Sequence, residues 1–238
     1  MTAGLHHPWL VLWDIDHTLL ETRGVGSELY ARAFKTATGV EMKQQADVTG
    51  QTEPAIFNAT LRLHGIPDDG HYLARYKEAL AEEYEHHQDE LRNRGRALPG
   101  AEETLAALAA EPTLIQSVLS GNLRAVSKIK LNVFELDKYL DLEVGAYGDD
   151  DPERPKLVAI AQERAHRKYG GPFSRANTVV VGDSTHDIRT GRKGGARSIG
   201  IASGSDDTNT LRDAGADAVL PDLTDVEAVL AAWRGLPT

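Results

Sequence analysis

Short apolar runs recur along the chain at Leu10–Trp13, Thr113–Leu119, Leu142–Val144, Thr178–Val181, Ser198–Ala202 and Ala218–Leu220. Runs of this length ending in polar residues fit strands buried on both faces of a parallel sheet. Between them, apolar residues at helical spacing predict helices over about Ala101–Ala110, Leu123–Phe134, Glu153–Lys168, His186–Gly194, Asp206–Ala214 and Val226–Trp233. Strands that alternate with helices in this way predict an α/β, doubly wound parallel sheet covered on both faces.

The alternation lapses from about Gly24 to Arg96, where the pattern is helical throughout. One helix is predicted over Val25–Thr38, with Leu29, Ala33, Phe34 and Ala37 on one face and Gly39 as its stop. A second covers Glu53–His64, with Pro54 in its first turn and Gly65 after its end. A third, long and highly charged, spans Asp69–Asn93. Its Tyr72, Tyr76, Leu80 and Tyr84 form one stripe, which reads as core packing. This block, residues 23–97, is expected to form a helical cap inserted into a core made of residues 1–22 and 98–238. Gly24-Val25-Gly26 and Leu98-Pro99-Gly100 would be the hinges. His86-His87 are expected to face solvent, and His6-His7 to be a solvated pair in a loose terminus.

Composition narrows the chemistry. The 238 residues are 41% hydrophobic and 26% charged, enough for a real core without staples. There is no cysteine, which excludes disulfides, thiolate metal sites and thiol nucleophiles. A formal charge of −10 argues against a broad nucleic-acid-binding surface. No apolar run is long enough to span a membrane and the N-terminus lacks a signal-peptide pattern, so a cytoplasmic protein with no membrane partner is expected. Gly24-Val25-Gly26 lacks the third glycine of a dinucleotide-binding loop. A monomer and a homodimer are equally compatible with the sequence.

Three strand ends carry polar groups of complementary type. Asp14 and Asp16 close the first run, and alternation along an extended chain puts them on the same side. Two carboxylates so close need a divalent cation or a shared proton. Ser120-Gly121-Asn122 closes a second run, where a hydroxyl and the amides near a helix N-terminus offer an anion cradle. Gly182-Asp183-Ser184-Thr185-His186-Asp187 closes a third, with Asp183 and Asp187 four apart and able to face one cation. All-oxygen acidic ligands suit Mg²⁺. Carboxylates, a cation and an anion cradle at the carboxyl end of a parallel sheet together point to phosphate.

In DIDHTLL, LSGN and VVVGDSTHD the chain resembles the haloacid dehalogenase superfamily, over nearly its whole length. The resemblance implies a Rossmann-like core and an Mg²⁺-dependent phosphatase of the phosphoglycolate phosphatase type, acting on a small phosphorylated metabolite. It makes Asp14 the nucleophile and a metal ligand, and Asp16 the acid that protonates the leaving oxygen and then the base that activates water. Asp16 joins Asp14, Asp183 and Asp187 in the implied metal site, and Thr18, Ser120, Gly121 and Asn122 are implied substrate contacts. The family's third motif supplies a cation. Aligning Glu153-Arg154-Pro155-Lys156 on its proline selects Arg154, with Lys156 as the runner-up on the substrate side. A neighbouring carboxylate is expected to raise the pKa of Asp16 so that it holds a proton.

Asp16 also favours phosphoryl over carbon–halogen chemistry, since dehalogenase members lack an Asp there. The same residues would suit a phosphomutase or a non-enzymatic phospho-receiver; the large insertion speaks against the receiver. His17 stands where many relatives have Gly, at a sharp turn, and reads as a spacer contributing its backbone. Arg23, Gln51 and Thr52 are candidate cap-side substrate contacts. The triplet Asp149-Asp150-Asp151 reads as a solvated loop.

Overall fold

In a computed structural model, which describes residues 8–67 and 70–236, the chain folds around a five-stranded parallel sheet. Its strands are β1 (Trp9–Trp13), β4 (Leu114–Val118), β5 (Thr178–Gly182), β6 (Arg197–Ile201) and β7 (Ala218–Leu220), in the order β4-β1-β5-β6-β7. All pairings are parallel, with Leu12 opposite Ser117 on one side and Val180 on the other. Alternation in β1 sends Val11 and Trp13 to one face and Leu10 and Leu12 to the other. The first pair packs with Leu105 and Leu108 of α5 (Ala101–Ala109) and with Val229 and Leu230 of α10 (Val226–Arg234). The second packs with Leu157, Val158, Ala161 and Ala165 of α7 (Lys156–Tyr169). Burial on both faces is why β1 reads as an unbroken apolar run. Helices α8 (Thr185–Gly194) and α9 (Thr208–Asp213) complete the α/β alternation.

The helical block holds α1 (Val25–Thr38), α2 (Glu53–Leu63), α3 (His71–His86) and α4 (Gln88–Arg94). The long third helix of the sequence pattern is therefore two helices that meet at His87. That residue is half-buried rather than free in solvent: its Nε2 lies 2.5 Å from Arg32 and its Nδ1 2.7 Å from the Glu83 carbonyl oxygen. His86 is exposed as expected. The predicted helix start at Asp69, and His6-His7, lie outside the described residues. The chain enters and leaves the block through a two-stranded antiparallel ribbon, β2 (Leu20–Glu21) against β3 (Arg96–Ala97). Strands of two residues are too short to leave a periodic signature in a sequence.

The core of the block does not stop at its own helices. Leu29, Phe34, Phe57, Tyr76, Leu80 and Tyr84 share one apolar cluster with Leu123, Val126 and Val133. Val126 and Val133 lie on α6 (Arg124–Val133), and Leu123 immediately precedes it. The block is thus packed on α6, and α2 begins against the loop before it: the Glu53 amide donates to the Gly121 carbonyl oxygen at 2.7 Å. Thr52, fully buried, donates its hydroxyl to the Pro152 carbonyl oxygen at 3.1 Å. It ties the block to the core instead of facing a substrate.

Leu142–Val144 does not form a strand. Asp141 bridges the edge of β4 through its backbone, donating N–H to Gln116 O and accepting the Ser117 hydroxyl. The chain then turns, and only an isolated bridge forms, between Leu119 and Ala146. Among the described residues no helix is long and apolar enough to cross a membrane.

Candidate active site

The carboxyl ends of β1, β4 and β5 converge on a cavity of about 690 Å³ roofed by the helical block. Asp14, Asp16, His17, Ser120, Gly121, Asn122, Arg154 and Asp183 all line it. This is the crevice where the strand order reverses, β1 having β4 on one side and β5 on the other.

Asp14 follows β1 directly and is held by its amide, which donates to the Val181 carbonyl oxygen at 2.8 Å. Its carboxyl accepts from Arg154 Nη2 at 2.7 Å, and the same nitrogen donates to Asp187 at 2.6 Å. Arg154 is 8% exposed, and its Nε has no hydrogen-bond partner. Asp187 also caps α8, accepting the Ser184 amide and hydroxyl at 3.1 and 2.7 Å. Asp183 takes a hydrogen bond from the Thr18 hydroxyl at 3.2 Å. Thr18 is fully buried, so it steadies Asp183 and does not line the cavity.

Asp14, Asp183 and Asp187 can each offer an oxygen within 4.8 Å of the others. Burial, followed by the charge of Asp187, raises the Asp14 pKa well above its usual range despite Arg154. The same causes push Asp183 up to about 6. If all three ionise, three carboxylates against one guanidinium carry two excess negative charges in a desolvated pocket. A hard divalent cation bound through oxygen matches that deficit in charge and in donor type.

Asp16 is placed differently. Lys130 Nζ donates to both of its carboxyl oxygens, at 2.9 and 2.8 Å, and Asn122 Nδ2 donates to one of them at 2.7 Å. Lys130 also donates to Asn122 Oδ1 at 2.9 Å. Burial would raise the Asp16 pKa, but the charge and hydrogen bonds of Lys130 outweigh it, and the pKa is lowered. That is the reverse of the shift expected from a neighbouring carboxylate. The carboxyl of Asp16 is also absent from the Asp14–Asp183–Asp187 cluster. The strand ends at Trp13, so the alternation that put both aspartates on one side no longer governs where their carboxyls point.

Lys130 does not stand out in the sequence, where it looks like one more solvated charge on an amphipathic helix. The signal is its phase: it lies four residues after Val126 and seven after Leu123, on the buried face of α6, and is itself 4% exposed. A lysine on an apolar stripe needs a partner. Lys156, the other candidate for the third-motif cation, is by contrast about half exposed and bonds Glu153 at 2.6 Å.

The loop after β4 is internally braced. Ser120 Oγ accepts from the Asn122 amide and from its side-chain nitrogen, at 3.2 and 2.8 Å. The first amide of α6 is taken by Asp149, at 2.6 Å, so that helix terminus is already capped. Asp150 bonds Arg164 and the Tyr147 amide, and Asp151 accepts the Glu153 amide. The acidic triplet therefore fastens the loops around the site; it is not merely solvated. His17 has φ 63, the left-handed region, and its carbonyl accepts from Ser203 at 2.6 Å, in keeping with a backbone role. Arg23 and Gln51 both line the cavity, and the Arg23 guanidinium donates to Glu21 at 2.8 Å.

A doubly wound sheet that gathers buried carboxylates, a guanidinium and a polar loop at one switch point has the layout of an α/β enzyme's active site. The chain matches the family described as haloacid dehalogenase-like hydrolase over residues 11–201, and it belongs to that family. It is 26% identical over 227 residues to the pyrophosphatase PpaX of Halalkalibacterium halodurans, covering 93% of this chain and 97% of the relative. Its fold is similar to that of a hydrolase from Pseudomonas syringae (TM-score 0.66, 24% identity, 94% and 98% of the two chains). It is equally similar to a predicted phosphoglycolate phosphatase from Haemophilus somnus (TM-score 0.66, 18% identity, 96% and 100%). The chain is thus a hydrolase of a family whose similar members carry phosphatase names.

Proposed function

We propose that this protein is an Mg²⁺-dependent phosphatase that hydrolyses a small phosphate monoester through a phospho-aspartate on Asp14. The observation that carries the reading is the Asp14 carboxylate itself: it lines the cavity, lies against Arg154 and belongs to an acidic cluster suited to a cation. An anionic carboxylate can attack an anionic phosphoryl group only where positive charge screens the repulsion. Arg154 supplies part of that charge. Asp14, Asp183 and Asp187 would hold the Mg²⁺, whose chemistry when bound is to neutralise phosphoryl oxygens.

An oxygen of Asp14 attacks phosphorus, the bond from phosphorus to the ester oxygen breaks, and that oxygen takes a proton from Asp16. Water then attacks phosphorus and gives a proton to Asp16, and inorganic phosphate leaves with Asp14 restored. Splitting one displacement into two lowers each barrier. Ser120, Gly121 and Asn122 line the phosphoryl side. Acid catalysis requires Asp16 to hold a proton, so its carboxyl must give up contact with Lys130. The substrate's phosphoryl oxygens compete for that ammonium and so free Asp16 when substrate is bound. The helical block over residues 23–97 acts as the cap that encloses the reaction.

The experiment is phosphate release from an aryl phosphate with and without Mg²⁺. The reading predicts turnover that disappears on chelation and returns with the metal.

A further inference from the structure

Above the reacting centre the cavity is lined by the helical block, and its one buried carboxyl there, among the described residues, is Glu53, at the start of α2 and 9% exposed. Tyr76, on α3, donates its hydroxyl to Glu53 Oε1 at 2.5 Å and is the only side-chain hydrogen-bond partner of that carboxyl among the described residues. No cation among them forms an ion pair with it. Burial raises the Glu53 pKa, the Tyr76 hydrogen bond and the charge of Lys130 oppose that rise, and the charge of Asp16 adds to it.

Each cation that lines the cavity has an acidic partner. Arg154 is taken by Asp14 and Asp187, Lys130 by Asp16 and Asn122, and Arg23 by Glu21, whose Oε1 it shares with Arg96. The rest of the cap-side lining includes Ser27, Gln45, Thr49, Gln51 and Tyr84, whose amides and hydroxyls both donate and accept. A leaving group with a carboxylate or a second phosphate would meet Glu53 with no free cation among the described lining residues to offset the repulsion. One with hydroxyls would give Glu53 a second donor beside Tyr76 and satisfy the neutral groups around it. The cavity, about 690 Å³, is also far larger than a phosphate with a two-carbon tail needs.

We infer that the substrate is the phosphate ester of an uncharged polyhydroxylated alcohol, a polyol or sugar, and that Glu53, positioned by Tyr76, selects it by accepting a hydroxyl of the leaving group. The inference rests on the phosphatase reading but goes beyond it. It also sets this chain apart from relatives named for pyrophosphate or phosphoglycolate, whose leaving groups are anionic.

The test compares kcat/KM for glycerol 3-phosphate and a hexose phosphate with that for phosphoglycolate and inorganic pyrophosphate, with an aryl phosphate as reference. The hydroxylated esters are expected to exceed both anionic ones by about tenfold or more, the worth of one charge-assisted hydrogen bond. Glu53→Gln, isosteric and checked by thermal melting, should cut the ratio of polyol to aryl ester by about tenfold, mainly through KM. If phosphoglycolate or pyrophosphate is used as well as the polyol esters, the inference is overturned. An unchanged ratio in folded Glu53→Gln overturns the role of Glu53. If that variant does not fold, the comparison of substrates on the native chain decides alone. Absence of turnover on every ester, the aryl phosphate included, would instead defeat the phosphatase reading.

Discussion

Lys130 and Asp16 are 114 positions apart in sequence, yet the ammonium of one donates to both carboxyl oxygens of the other, at 2.9 and 2.8 Å. The contact divides the two aspartates after β1 more sharply than their spacing does. Asp14 is pushed toward the protonated form by burial and then by the like charge of Asp187, while Asp16 is held ionised by a buried lysine. The proposed chemistry therefore requires metal and substrate to act in opposite senses on the two groups, ionising Asp14 and releasing Asp16 from Lys130.

Lys130→Met should be destabilising at neutral pH. Asp16 has a lowered folded-state pKa, so the pair's contribution is fully present above the unfolded value of 3.8 and is lost as pH falls through the folded one. With the Asp16 side chain 33% exposed, the expected loss is about 1–3 kcal/mol at pH 7. The gap from the native chain should close below about pH 4. Denaturant melts at the two pH values check both statements. The pH dependence of kcat/KM should also move upward in this variant, because burial is then the main influence left on Asp16.

Arg154→Ala should lower kcat by about 10²-fold or more, since it removes a buried donor aimed at the nucleophile. Lys156→Ala should stay within about threefold of the native rate, since its partners are Glu153 and Asp151 at the surface. Steady-state rates on one aryl phosphate separate the two, and equal small effects would refute the assignment of Arg154.

Mg²⁺ should raise the melting temperature more at pH 7.5 than at pH 5. Asp183 has its pKa raised from 3.8 to about 6, so the cost of its charge in the fold is absent below the first value, grows as pH rises and is complete above the second. A bound cation removes that cost, so its stabilisation grows over the same range. A shift of equal size at both pH values would count against a site built on Asp183.

Much of this could be read from the chain because the fold is made of strongly periodic parts. Leu10–Trp13 and Thr178–Val181 are apolar on both faces, and the polar groups that follow them could lie only at strand ends. The positive φ of His17 was foreseeable from the turn that its position demands. What escaped the sequence depends on tertiary contact. Lys130 reaches Asp16 only because α6 packs beneath the helical block, and Glu53 becomes a buried carboxyl only because Tyr76 of another helix closes over it. α3 and α4 meet at His87, whose ring Arg32 of α1 contacts, a tertiary contact that leaves no mark in the periodic pattern. The stripe Tyr76–Leu80–Tyr84 is core packing as expected, yet Leu80 and Tyr84 also wall the cavity.

The most direct test of the proposed chemistry is the rate of Mg²⁺-dependent phosphate release by Asp14→Asn. The substitution keeps the side chain's size and removes one of three crowded carboxylates, so the metal-free variant should melt no lower than the native chain. Its turnover should fall by about 10³-fold or more, because an amide cannot form the acyl phosphate. A folded Asp14→Asn protein that releases phosphate within about tenfold of the native rate would contradict a phospho-aspartate at this position.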